Sequence, residues 1–230
     1  MKRMTTIILA AALAAALTTG CAGGPEMLSV PRLGTRSGPR FTLNLEPGFH
    51  YAKDAQFLWY KYTVRPQVAA WLEKPDGTFI DTIYVTEIGM TGKYAAAPKH
   101  GRPEALPVWS HLRKEGADAV SSPTTVGTRL VYGNDIAARL PDGIYIIKLE
   151  TNRSYDWNEM YSKKNSGVNG QPSIVYLAEL AIGGEDTEAD FVPVGTGSVD
   201  GSSGGIRPGL DGLDTALALF TTMKVSYQTE

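Results

Sequence analysis

The residues best suited to molecular recognition fall in one run, Asn152-Arg153-Ser154-Tyr155-Asp156-Trp157-Asn158-Glu159-Met160-Tyr161. Tyr and Trp offer rigid apolar area with a polar tip, and the amides and charges beside them supply directed hydrogen bonds. Arg153, Tyr155, Trp157, Asn158 and Tyr161 are the candidate binding surface. The other reading of this run is a loop that packs its aromatics back over the end of the domain. Catalytic patterns are missing. His50, His100 and His111 have no metal-ligand spacing, and no His-Glu-x-x-His, Gly-x-Ser-x-Gly or Ser-x-x-Lys occurs. No catalytic residue, metal ligand or bound cofactor is therefore assigned, and the chain reads as non-enzymatic.

Two further stretches invite chemistry. Gly195-Thr196-Gly197-Ser198-Val199-Asp200 has the glycines of a phosphate-cradling loop. More Gly and Ser follow it, where such a loop needs a helix N-terminus to hold the anion, so it reads as a flexible loop. Asp186, Glu188, Asp190, Asp200, Asp211 and Asp214 crowd the connection 183–214 without EF-hand spacing. A solvated acidic loop is the expectation, with calcium the question it raises.

Composition narrows the field. The 230 residues carry 22 Lys+Arg against 24 Asp+Glu, a net charge of −2. That balance leaves no broad basic surface, and no nucleic-acid partner is expected. Gly (25) and Pro (14) are plentiful, which suits turns between strands rather than a helix bundle.

Lys2 and Arg3 precede an apolar run, Ile7 to Leu17, too short for the ~20 residues that span a bilayer. Thr18-Thr19-Gly20 and the only cysteine, Cys21, follow. This pattern resembles a bacterial lipobox, in which the thiol takes a diacylglycerol and becomes the new N-terminus. The resemblance implies a signal peptide over 1–20, lipidation of Cys21 and a membrane anchor made of lipid. Ala22, where an Asp would retain the protein in the inner membrane, implies the outer membrane facing the periplasm. Residues 21–39 are rich in Gly and Pro and read as a flexible tether.

A single domain is expected over 40–230, and from there the hydrophobic period is two. Leu58, Tyr60, Tyr62 and Val64 mark one strand face. Val68, Ala70 and Leu72 oppose Ala69 and Trp71 on the next strand. Lys74-Pro75-Asp76-Gly77 supplies a turn, and Phe79, Ile83 and Val85 then alternate with Ile80, Thr82 and Tyr84. Ile144–Thr151, Ile174–Ile182 and a last strand through Leu217, Leu219, Thr221, Met223, Val225 and Tyr227 continue the pattern, with Phe41–Leu45 and Thr128–Tyr132 as further strands. Leu106–Glu115 is a short helix. The fold class is all-β, an immunoglobulin-like β-sandwich of about seven or eight strands with long loops at 153–172 and 183–214.

Several segments together resemble domain-of-unknown-function family 2271, a family of predicted periplasmic bacterial proteins. They are Arg65-Pro66-Gln67-Val68-Ala69-Ala70-Trp71-Leu72-Glu73, Pro75-Asp76-Gly77, Trp109, Asp118-Ala119-Val120-Ser121 and Pro141-Asp142-Gly143-Ile144-Tyr145 with Glu150. The resemblance covers roughly residues 40–183 and implies export and an immunoglobulin-like fold, with no settled activity. One family segment looks like the site where flavin transferases attach FMN through a Thr phosphoester. Here Asp118, Ser121 and Thr124 match it, with Ser122 and Pro123 in place of Gly and Ala. The first expectation is thus a lipid-anchored binding module of the cell envelope, with an envelope protein or ligand as partner. The alternative is a redox carrier with FMN on Thr124.

Overall fold

A computed structural model describes residues 38–92, 94, 101–113, 121–122, 129–131 and 136–229. Its strands are β1 (Arg40–Pro47), β2 (Lys53–Phe57), β3 (Tyr60–Val64), β4 (Gln67–Glu73), β5 (Phe79–Thr86), β6 (Ser121–Ser122), β7 (Arg129–Val131), β8 (Gly143–Asn152), β9 (Ile174–Ile182), β10 (Thr187–Asp190), β11 (Val192–Thr196) and β12 (Phe220–Gln228). The helices α1 (Glu87–Thr91), α2 (Pro107–Leu112) and α3 (Lys163–Ser166) are short. One sheet has the order β10-β12-β1-β7 and the other β11-β9-β8-β4-β5-β6, while β2 and β3 pair only with each other.

The two large sheets face each other, and the chain is an all-β sandwich. Phe41, Leu43, Val225 and Tyr227 from one sheet meet Leu72, Ile147, Leu149, Ile174 and Leu180 from the other in the main core. The turn Lys74–Thr78 works as its residues dictate: Gly77 takes φ 83°, and Asp76 accepts the Thr78 N–H at 2.9 Å. Strand β4 is buried on both sides. Val68, Ala70 and Leu72 face the main core, and Ala69 and Trp71 face a second cluster with Val85, Leu106, Val108, Trp109 and Val175. A further layer covers the outer face of the six-stranded sheet, consisting of residues 101–113 and the glycine-rich strap 196–207.

The strand pattern departs from simple alternation at four places. In β5 the register with β4 shifts between Ala70 and Trp71 and again between Leu72 and Glu73. These bulges turn Ile83 toward the main core with Ile80 and Tyr84, and bring Thr82 to the second layer, where its Oγ1 accepts Trp109 Nε1 at 3.0 Å. The stretch from Leu58 to Val64 is not one strand, because Leu58 and Trp59 form a hairpin tip, with Leu58 at φ 54°. The last strand starts at Phe220. Before it, Thr215–Ala218 winds into a 3-10 turn whose first N–H is capped by Asp214. The connection 183–214 is not a loop throughout. β10 pairs with β12, Phe191 is buried, and β11 crosses back to pair with β9, so this stretch laces the two sheets along one side.

The ends of the sandwich differ. Arg40, Gln228, Gly143, Ile182 and the turn 74–77 lie at the end where the chain comes into the fold. The turn 48–51, the hairpin, the loop 152–173 and the 3-10 turn lie at the other.

Candidate functional site

The far end is built on a buried polar knot. Where β8 ends, Arg153 turns inward, and its guanidinium donates to the His50 carbonyl and to Asp156 Oδ1. Asp156 Oδ1 also accepts Thr215 Oγ1 at 2.7 Å. Gln171 completes the knot. Its Nε2 donates to Asp214 Oδ1 and Thr215 Oγ1, each at 2.7 Å, and its Oε1 accepts the Asp214 N–H at 2.9 Å. Four chain segments are tied together with their polar groups largely paired, as burial demands. Two buried atoms of this pair, Arg153 Nε and Asp156 Oδ2, meet no hydrogen-bond partner.

On this knot stands an aromatic ledge. With Arg153 and Asp156 both directed inward, Tyr155 between them takes φ 61°. Its ring meets Trp157 edge-on at 5.5 Å between centroids. Lys53 Nζ donates to the Tyr155 carbonyl at 2.6 Å and lies 5.9 Å from the Trp157 ring. Tyr62 from β3 hydrogen-bonds the Tyr155 hydroxyl, which raises the Tyr62 pKa. Trp157 is 37% exposed, and its Nε1 donates to the Gly167 carbonyl at 2.8 Å, so its orientation is fixed. Asn158 and Tyr161 close a turn: Asn158 Oδ1 accepts the Tyr161 N–H at 2.8 Å, and Asn158 Nδ2 donates to the Gly212 carbonyl at 2.8 Å.

The structure therefore brings Tyr155, Trp157, Asn158 and Tyr161 to one end of the sandwich. Arg153, expected on the surface, is instead buried beneath them, because it supplies the cation that holds the loop closed. Ser121 lies in β6, at the edge of the six-stranded sheet beside Val85 and Thr86. Cys21, Asp118 and Thr124 lie outside the described residues, as does His100. His111 Nδ1 sits 2.8 Å from the Pro107 carbonyl within α2.

The acidic connection spends its carboxylates locally. Asp186 accepts the Thr229 N–H and hydroxyl, and Glu188 pairs with Lys224 at 2.7 Å. Asp200 accepts from Ser202. Among the described residues no group of three His, Cys, Asp or Glu side chains converges to hold a metal. The glycine-rich run is a packed strap rather than a flexible loop. Gly195, Gly197 and Ser198 are buried, and Thr196 pairs with Arg207 through both backbone hydrogen bonds. Gly197 passes so close to Glu150, Ser173 and Pro107 that a Cβ would collide with all three. Gly201, at φ 73°, lies against the Glu104 backbone.

Glu150 is the functional-type residue that the sequence concealed. It is fully buried in the second layer. Its Oε2 accepts the Trp109 N–H at 2.8 Å, and its Oε1 accepts the Val108 N–H at 3.2 Å and Ser173 Oγ at 2.6 Å. Burial pushes the carboxyl up to about 7, against the three hydrogen bonds, which favour the charged form. With no solvent contact, its chemistry is to hold the first turn of α2 and to take up or release a proton near neutrality. The signal in the sequence is a lone acid in an apolar strand, there named only among the residues of the family resemblance.

Set against protein-family models, curated proteins and solved structures, the chain matches none of them. Among the described residues no helix is long and apolar enough to cross a membrane.

Proposed function

We propose that the chain is an exported β-sandwich, lipid-anchored through Cys21 to the outer membrane, that binds an envelope protein or ligand. The observation that supports this is the ledge of half-buried Tyr155 and exposed Trp157, aromatics held in fixed orientation above a buried knot. A rigid aromatic surface loses little conformational freedom on binding, which is what a recognition site requires. Asn158 and Tyr161 extend the ledge, and Arg153 supports it from below. The test is the double variant Tyr155→Ala, Trp157→Ala. Its unfolding free energy should stay within about 1 kcal/mol of wild type, while capture of partners from native envelopes is lost. A loss of several kcal/mol would make the ledge a structural element and sink the binding role.

A second reading, FMN carried on Thr124 with Asp118 and Ser121 guiding its attachment, is favoured by one observation. Ser121 and Ser122 occupy a sheet edge, a place an attaching enzyme can approach. Chain purified from its native host should then show covalent flavin fluorescence that Thr124→Ala abolishes.

A further inference from the structure

Within the knot, two side chains that can react with each other are held in contact. Gln171 is fully buried, and both ends of its amide are occupied. Oε1 accepts the Asp214 N–H at 2.9 Å, while Nε2 donates to Thr215 Oγ1 and to Asp214 Oδ1, each at 2.7 Å. The Gln171 backbone is fixed as well, its N–H on the Asp156 carbonyl and its carbonyl on Asn152 Nδ2, each at 2.9 Å. Thr215 comes from 44 residues further along the chain. Its hydroxyl has one proton to give. Of the two carboxylate oxygens in reach, Asp156 Oδ1 is nearer at 2.7 Å, against 3.1 Å for Asp214 Oδ1.

These are the contacts of an acyl-transfer site. A hydroxyl whose proton lies on a carboxylate is an activated nucleophile. The amide carbon is one C–N bond of ~1.33 Å beyond Nε2, so Thr215 Oγ1 lies no more than about 4 Å from Gln171 Cδ. The terminal torsion of a glutamine is broad, and a partial turn about it presents the face of the carbonyl. The Asp214 N–H already sits on the oxygen where negative charge develops during attack. A separate observation points the same way. Asp156 Oδ2 is buried and meets no hydrogen-bond partner. An unmet acceptor is costly in a knot that only pairs polar groups, and this carboxylate keeps one oxygen free to carry a proton.

We propose that Thr215 and Gln171 join covalently, as an intramolecular side-chain ester. Thr215 Oγ1 attacks Gln171 Cδ and gives its proton to Asp156. As the Oγ1–Cδ bond forms, an electron pair of the carbonyl moves to Oε1, beneath the Asp214 N–H. When that pair returns, the Cδ–Nε2 bond breaks, and the nitrogen leaves as ammonia with the proton that Asp156 held. The step balances without an oxidant or a co-reactant. Burial of Gln171 keeps water from the product, and exposed Asp214 marks the side on which ammonia escapes. With one cysteine the chain has no internal disulfide, and the ester does comparable work, fixing the loop 152–173 to the turn before the last strand. The inference does not depend on what the aromatic ledge binds.

The test is peptide mass spectrometry on the full chain, denatured and digested after glutamate, which cuts between the two residues at Glu179, Glu185 and Glu188. The fragments carrying Gln171 and Thr215 should stay joined, lighter than their sum by one ammonia, and hydroxylamine should part them. Thr215→Ser keeps a nucleophilic hydroxyl and should keep the link. Thr215→Val should lose it, with far-UV circular dichroism unchanged. Two results would overturn the inference: wild type, kept folded at neutral pH until its mass is constant, giving the two fragments apart with the Gln171 amide intact, or Thr215→Val giving them still joined.

Discussion

Trp109 donates its backbone N–H to Glu150 Oε2 across 2.8 Å, joining residues 41 apart in the chain. That bond pins α2 onto the outer face of the six-stranded sheet. It also makes the second layer depend on the protonation of one carboxyl.

The sign of that dependence follows from the raised pKa. A carboxyl that titrates at about 7 in the folded chain and near 4.5 when free binds more protons folded than unfolded between those values. Its contribution to stability is present in full below about pH 4.5 and is lost as pH rises through about 7, a difference on the order of a few kcal/mol. Urea unfolding at pH 5 and pH 8 should therefore show wild type weaker at the higher pH. Glu150→Gln should flatten the difference, and an unchanged slope would remove Glu150 as its source.

Asp156→Ala leaves the Arg153 guanidinium buried without its counter-charge and should cost about 3–5 kcal/mol in denaturant unfolding. The contrast with the near-neutral ledge variant is the point of this measurement: the knot carries stability and the ledge does not.

Gly197→Ala inserts a methyl where Ser173, Pro107 and Glu150 already meet. Overpacking of this kind should destabilise by about 1–3 kcal/mol. The strap should lift with it, and acrylamide should quench Trp109 more readily than in wild type.

Cys21→Ser should abolish incorporation of labelled fatty acid into the chain in its native host. Retention of label would place the acyl group elsewhere and refute the lipobox.

Much of the sandwich was legible because β4, β8 and β9 alternate cleanly and end at strong turn residues. Ile174–Ile182 was read to the residue. Three features were hidden for physical reasons. Bulges in β5 shift the side-chain period, so Ile83 and Thr82 exchange sides. The face of β8 carrying Lys148 and Glu150 looks wet, yet it is covered, because Lys148 pairs with Glu73 at 2.7 Å and Glu150 caps α2. The strap reads as loose because glycine signals freedom and close packing alike, and only the neighbours decide between them. At the ledge the residue types were legible. The inward turn of Arg153 was not, since it answers to Asp156 and to His50, 103 residues away.

β1 lies between β7 and β12, and β12 in turn lies between β1 and β10. The opening strand of the fold therefore finds its longest partner only in the closing one, with Phe41 opposite Tyr227. Such long-range closure is slow to nucleate. A nascent chain lacking Phe220–Gln228 leaves Arg40–Pro47 with only its three-residue pairing to β7 and leaves Thr187–Asp190 with no strand to pair with in that sheet. That sheet is consequently completed only once its last strand, β12, has been made. Until then the facing edges of β1 and β10 stay unpaired, open to a protease.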